Sequence, residues 1–239
     1  MPAKGVWKNI MLFKTLEPIV HQYKARIVHH PFNQALYDGT LPIHDFYTFL
    51  EKDKPYLNQF SKNLVHLSKR MAHPQHRLML MQVASDILNT EAKLYDKYRI
   101  INHDFKFFSN IHVPHQALDN DVVHYLRHQE HHATMEPIPV ALASLIPCFY
   151  LYNVLGQHMQ QKKIAPDNPY RLWIESYSSP TFQTSTQYMI DVFNDVGTPE
   201  IKALYFNRIM KAWVQSIEFE IALWDGSCHA KSLQCSIFH

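Results

Sequence analysis

A chain of 239 residues, 46% apolar and 18% charged, has the material for one large domain or two small ones with a sizeable core. Its formal net charge of +2, with lysines and arginines scattered along the chain, does not point to nucleic acid as the main partner. The five glycines form neither G-x-G-x-x-G nor G-x-x-x-x-G-K-S/T, which removes the usual dinucleotide and phosphate-loop enzymes.

Apolar residues recur at steps of three and four in Phe13, Leu16, Ile19, Val20, Tyr23 and Ile27. They do so again in Phe46, Phe49, Leu50, Leu57 and Phe60, so two amphipathic helices are predicted. Further helices are expected over about 75–101, 114–134, 137–163, 169–177, 180–196 and 199–225, several opening with proline at the first turn, where its missing donor does no harm. Gly39, Gly156, Gly197 and Gly226 sit at or near places where a helical pattern weakens or stops. No stretch shows bounded period-two alternation, so the expected class is all-α. Short connections without linkers or repeats predict one helical domain over 1–226, with 227–239 as an appended tail.

The uncharged run from Pro137 to Gln161 is long enough to span a bilayer, but Pro137, Pro139, Pro147, Asn153 and three glutamines interrupt it. A buried central helix is the expectation, with no membrane partner. The three cysteines, Cys148, Cys228 and Cys235, cannot all pair within one chain, and no hydrophobic signal segment opens the sequence, so a reducing cytoplasm is expected. Cys228 with His229 and Cys235 is a short cluster lacking the second ligand pair of a zinc module.

Inside the Pro137–Gln161 run stands Leu145-Ile146-Pro147-Cys148-Phe149-Tyr150-Leu151-Tyr152. A mid-helix proline costs about 3 kcal/mol, so its place beside a thiol asks for a purpose other than packing. Cys148 and Tyr152 are one turn apart on one face. Asp53 and Tyr56 likewise share a face, with another mid-helix proline, Pro55, between them. Tyr177 ends a short helix containing Trp173, and Glu220 lies four residues before Trp224 in an apolar segment. Taken singly, a cysteine and tyrosines on apolar faces are ordinary core, Glu220 an ordinary solvated acid, and Asp53 one half of a surface ion pair with a neighbouring lysine.

The order of these pieces carries more than each alone. His30-Pro31-Phe32, Gly39-Thr40-Leu41, Phe49-Leu50-Glu51-Lys52-Asp53 with Tyr56-Leu57, Leu145-Ile146-Pro147-Cys148 with Tyr152, Trp173-Ile174 with Tyr177-Ser178-Ser179, and Glu220 with Leu223-Trp224 together resemble the TenA/thiaminase II family over about 13–226. The resemblance implies a haem-oxygenase-like helical fold, a homotetramer, no metal and no organic cofactor. It makes Cys148 the nucleophile, Glu220 the proton donor and acceptor, Asp53 the holder of an aminopyrimidine ring, and Tyr56, Tyr152 and Tyr177 the phenols of the pocket. The cysteine favours the thiaminase-like branch, which releases hydroxymethylpyrimidine from degraded or intact thiamin. Thiolate attack on the ring makes an adduct able to expel a leaving group from the methylene carbon, a displacement that water alone does not easily achieve.

The chain departs from the family at Lys52-Asp53-Lys54-Pro55, where Gln-Asp followed by small or aromatic residues is usual. It departs again in the bulkier His131–Pro137 segment, and at Leu223 in place of phenylalanine. Two other functions stand beside the hydrolase. His124, His128, His131 and His132 with Glu130 suggest a metal site, and haem-oxygenase-like folds include di-iron oxidases, but 166–194, where such enzymes would supply ligands, has no histidine. A helical protein that binds a pyrimidine or a protein partner without turnover is the other.

Overall fold

The structure is a computed structural model that describes residues 11–101, 120–162 and 164–228. Among these residues there are nine helices and no strand. They are α1 (Leu12–Val28), α2 (Pro31–Asp38), α3 (Ile43–Arg70), α4 (Pro74–Ile101), α5 (Asn120–Met135), α6 (Ile138–Gln161), α7 (Arg171–Tyr177), α8 (Pro180–Val196) and α9 (Pro199–Asp225). The expected start of α5 at Pro114 lies outside the described residues.

Each helix begins and ends for local reasons. The side chains of Ser179 and Thr198 accept from the backbone N–H of Phe182 and Ile201, each with proline in the first turn that follows. His30 does the same for Phe32 at the start of α2, a helix that apolar spacing did not separate from α1. Gly39 closes α2 at φ +72°, the left-handed conformation that favours glycine.

Helix α6 is the hub, buried without interruption from Pro139 to Phe149, and α1, α3, α5, α7, α8 and α9 all pack on it. Its apolar surface, long enough for a membrane by composition, is 83% buried inside the protein over its most apolar window. The absence of an amphipathic stripe follows from contact with neighbours on all sides.

Pro147 interrupts α6 at its centre. The carbonyl of Ser144, three residues earlier, accepts from Ser216 Oγ on α9 at 2.8 Å and from Gln129 Nε2 on α5 at 3.3 Å. Tyr95 of α4 likewise donates to the Leu50 carbonyl just before Pro55 in α3. Side chains from neighbouring helices thus bond to backbone next to both prolines, where the helical ladder is weakest.

Gly39, Gly197 and Gly226 mark helix ends, and Gly156 lies inside α6 within the helix expected over 137–163. A Cβ there would stand 2.7 Å from the Tyr177 carbonyl oxygen, so glycine is what lets the end of α7 settle against α6. Gly156→Ala should cost about 1–3 kcal/mol of stability through that backbone clash. Gly226→Ala, at φ −71° past the end of α9, should change little. Urea unfolding of the two variants beside wild type checks the contrast.

Candidate active site

Five helices converge on one cavity of about 70 Å³, room for several waters or a small ring. Asp53 from α3, Cys148 and Tyr152 from α6, and Tyr177 from α7 all line it. Glu91 from α4 and Phe182 from α8 complete the wall. Tyr152, Trp173 and Tyr177 form an aromatic corner, with ring centroids 4.5 Å apart for Trp173–Tyr177 and 4.8 Å for Tyr152–Tyr177. Flat faces of this kind suit a flat aromatic guest.

Glu220 and Tyr56 stand behind the cavity wall. Glu220 is fully buried, and its Oε1 accepts from the Tyr125 hydroxyl at 2.7 Å and the Tyr56 hydroxyl at 3.2 Å. Its Oε2 has no hydrogen-bond partner among the described residues. Gln129 Nε2 donates to the Tyr56 oxygen at 3.1 Å, which leaves the Tyr56 proton directed at Tyr125 and Glu220. Trp224 Nε1 donates to the Tyr152 oxygen at 3.2 Å, freeing the Tyr152 proton in the same way. The Trp224 ring packs on His30, whose Nδ1 accepts from Phe32 N–H and whose Nε2 lies 3.0 Å from Asp225. Nε2 therefore carries the proton.

Burial dominates the electrostatics. Loss of water pushes the Glu220 carboxyl up to about 7, and donation from Tyr125 and Tyr56 offsets part of that rise. Burial drives the Cys148 thiol well above its ordinary value, reinforced by the negative potential of Glu220 and Asp53 and opposed by a hydrogen bond with Tyr56. Asp53, 5% exposed, is likewise raised by burial and then by the charges of Glu220 and Glu91. The thiol rests as S–H beside an acid that titrates near neutrality.

The structure thus brings the six predicted residues together, with Tyr56 and Glu220 behind the wall rather than in it. It also distinguishes Glu220 from Glu218, which is 42% exposed and pairs with Arg26 at 2.9 Å. Sequence reasoning missed Tyr125, Gln129 and Glu91. The signal for the first two was present, because Val122, Tyr125, Gln129 and Ala133 form the buried stripe of α5 at steps of three and four. The histidines drew attention to other positions of that helix. His124 and His131 are exposed, whereas His128 is buried, 3.0 Å from Ser216 Oγ, with its ring 4.2 Å from that of His132. Among the described residues no three His, Cys, Asp or Glu side chains converge as ligands of one metal.

At the Lys52–Pro55 departure, Lys52 donates to the Gly226 carbonyl and Lys54 stands 5.1 Å above the Tyr95 ring. Both lysines are held away from the cavity, and Asp53 between them faces into it.

An all-α bundle with a buried cysteine, carboxylates and aromatic rings around one small cavity defines the class of helical proteins built to take a small molecule. Residues 17–230 match the TENA/THI-4/PQQC family, and the chain belongs to it. It is 25% identical over 223 residues to an aminopyrimidine aminohydrolase of Staphylococcus saprophyticus, covering 92% of this chain and 93% of that one. The aminopyrimidine aminohydrolase of Bacillus subtilis is 25% identical over 202 residues, covering 82% and 80%. Among solved structures, a TenA homologue from P. horikoshii superposes with TM-score 0.76 at 23% identity, covering 91% of this chain and 98% of that one. One from Pyrococcus furiosus gives 0.75 at 14%, covering 90% and 98%. These structures share the fold, which is the haem-oxygenase-like bundle.

Because the folded Glu220 value lies above the unfolded one, its favourable contribution is complete below the ordinary carboxylate range and is lost as pH rises through about 7. Glu220→Gln removes the penalty of a buried charge. Its melting temperature should exceed that of wild type at pH 8, by the equivalent of about 2–3 kcal/mol, and the gain should shrink toward pH 5. Calorimetric melts at both pH values check the crossover.

Proposed function

We propose that the protein is an aminopyrimidine aminohydrolase with thiaminase II activity, serving thiamin salvage through cysteine nucleophilic catalysis. The observation that carries the reading is the arrangement around one cavity: the Cys148 thiol and the Asp53 carboxylate face into it, and Glu220, with its titration near 7, lies directly behind the thiol. The curated relatives named for this activity support it. The resemblance also carries a homotetramer working in the cytoplasm.

In this mechanism Asp53 accepts from the exocyclic amino group, and the aromatic corner of Tyr152, Trp173 and Tyr177 holds the ring. Among the described residues no lysine, arginine or histidine lines the cavity to stabilise a resting thiolate. The thiol is therefore activated only as it reacts. Sγ bonds to a ring carbon, its proton passes to the Glu220 carboxylate, and Glu220 delivers a proton to a ring nitrogen. The leaving group departs from the methylene carbon with the bonding electron pair, while the nitrogen-bound proton returns to Glu220. A neutral exocyclic methylene remains. Water adds its hydroxyl to that carbon and its proton to the ring nitrogen; the carbon–sulfur bond then breaks, sulfur regains its proton through Glu220, and hydroxymethylpyrimidine is released.

Turnover of aminomethylpyrimidine or thiamin should fall by at least about 10³-fold in Cys148→Ala, since a covalent route loses its nucleophile. Turnover left unchanged would sink the mechanism, and none by wild type with either substrate would sink the activity itself. Because Glu220 must begin as carboxylate, kcat/KM should drop as pH falls below about 7, and Glu220→Gln should abolish that limb along with most activity. An alkaline limb at the same pH would instead make Glu220 the initial acid.

A further inference from the structure

The proposed mechanism uses Asp53 and Glu220 and leaves another buried carboxylate in the same cavity unused. Glu91, on α4, is 8% exposed and lines the cavity, yet it has no hydrogen-bond partner among the described residues. The neighbouring Asp86 is already engaged, by Gln82 Nε2 at 2.8 Å and Ser185 Oγ at 3.3 Å. Tyr95, one turn beyond Glu91, is committed to the Leu50 carbonyl. Among the described residues the charge that favours the ionised form of Glu91 is Lys54, which is exposed and lies over the Tyr95 ring. A carboxylate that opens onto an apolar cavity without a bonded side-chain partner is available to a ligand.

Its position indicates which part of a ligand it meets. Glu91 stands on α4, which packs against α3, the helix that carries Asp53, and against α8. It therefore lines the cavity on the Asp53 side. In an aminopyrimidine substrate the methylene that bears the leaving group is attached to the ring carbon next to the one bearing the exocyclic amino group. With that amino group on Asp53 and the ring over Cys148, the leaving group extends toward Glu91. The cavity lining holds three carboxylates and no lysine or arginine among the described residues.

We propose that Glu91 forms a cation subsite that selects substrates whose leaving group is positively charged, an ammonium or a quaternary ring nitrogen. This rests on the pyrimidine reading of the site and specifies the class of leaving group. An amine held there as its ammonium departs as neutral ammonia, its bond to carbon breaking toward nitrogen without a further proton donor.

The test compares two ligands that differ in charge at that one atom, an aminomethylpyrimidine and the corresponding hydroxymethylpyrimidine. Calorimetric titration at about pH 8 uses the full chain carrying Cys148→Ala, which binds without turnover, with and without Glu91→Gln. Glu91→Gln should weaken the ammonium ligand roughly tenfold and leave the hydroxymethyl ligand within about twofold. Equal weakening of both, or of neither, overturns the cation subsite while leaving the pyrimidine reading intact. Failure of either pyrimidine to bind the Cys148→Ala protein overturns both. Should Glu91→Gln not fold, Glu91→Asp keeps the charge and withdraws it by one methylene; a selective loss of roughly threefold for the ammonium ligand is then expected, and no selective loss overturns the subsite.

Discussion

A single carboxylate with no access to water sets the terms for the rest of this site. Glu220 is buried among apolar side chains of α9, where an unassisted ion would be prohibitive, and the surrounding helices supply phenolic donors to make it tolerable. Each donor is itself constrained by another group. Gln129 fixes Tyr56, Trp224 fixes Tyr152, and the ring of Tyr125 is stacked between Tyr56 and Phe219 at 4.7 and 5.0 Å. The hydroxyl protons have few directions left, so the donor shell is organised before any ligand arrives.

The mid-helix prolines belong to the same economy of backbone polar groups. A proline removes one bond from the ladder of a buried helix and loosens the turn around it. Beside Pro147 the Ser144 carbonyl accepts from Gln129 and Ser216, and Gln129 is also the residue that orients Tyr56. The interrupted turn of α6 is therefore connected by one side chain to the acid behind Cys148. In the turn before Pro55 the Leu50 carbonyl accepts from Tyr95, one turn from Glu91.

Sequence carried the helices well because amphipathic spacing and proline starts are local signals. It carried Asp53, Tyr56, Cys148, Tyr152, Tyr177 and Glu220 only as an ordered set of motifs, since no single one of them differs from core in its own window. Tyr125 and Gln129 were hidden by a richer pattern on their own helix: four histidines, with most of their rings turned to other duties. Glu91 was invisible for a different reason. It looks like any acid on a long polar helix, and only the packing of α4 against α3 and α8 shows that it is buried. The reason for glycine at 156 is not local either, for the close approach that requires it comes from Tyr177, twenty-one residues away.

The surroundings of Cys148 differ from the electropositive setting usual for reactive cysteines. Among the described residues the charges that act on the thiol, Glu220 and Asp53, are negative, so they disfavour a resting thiolate. That same negative potential is what a cationic substrate would meet on entry. A lysine or arginine placed to ionise the thiol would repel such a substrate and would also lower the Glu220 value away from neutrality. The two demands, attraction of a cation and activation of a sulfur nucleophile, are met together only if the thiol gives up its proton during attack and the substrate ring takes one at the same time. Net charge in the cavity then stays constant through the first step, which is the condition under which bond formation in so apolar a space avoids the cost of creating an unpaired ion.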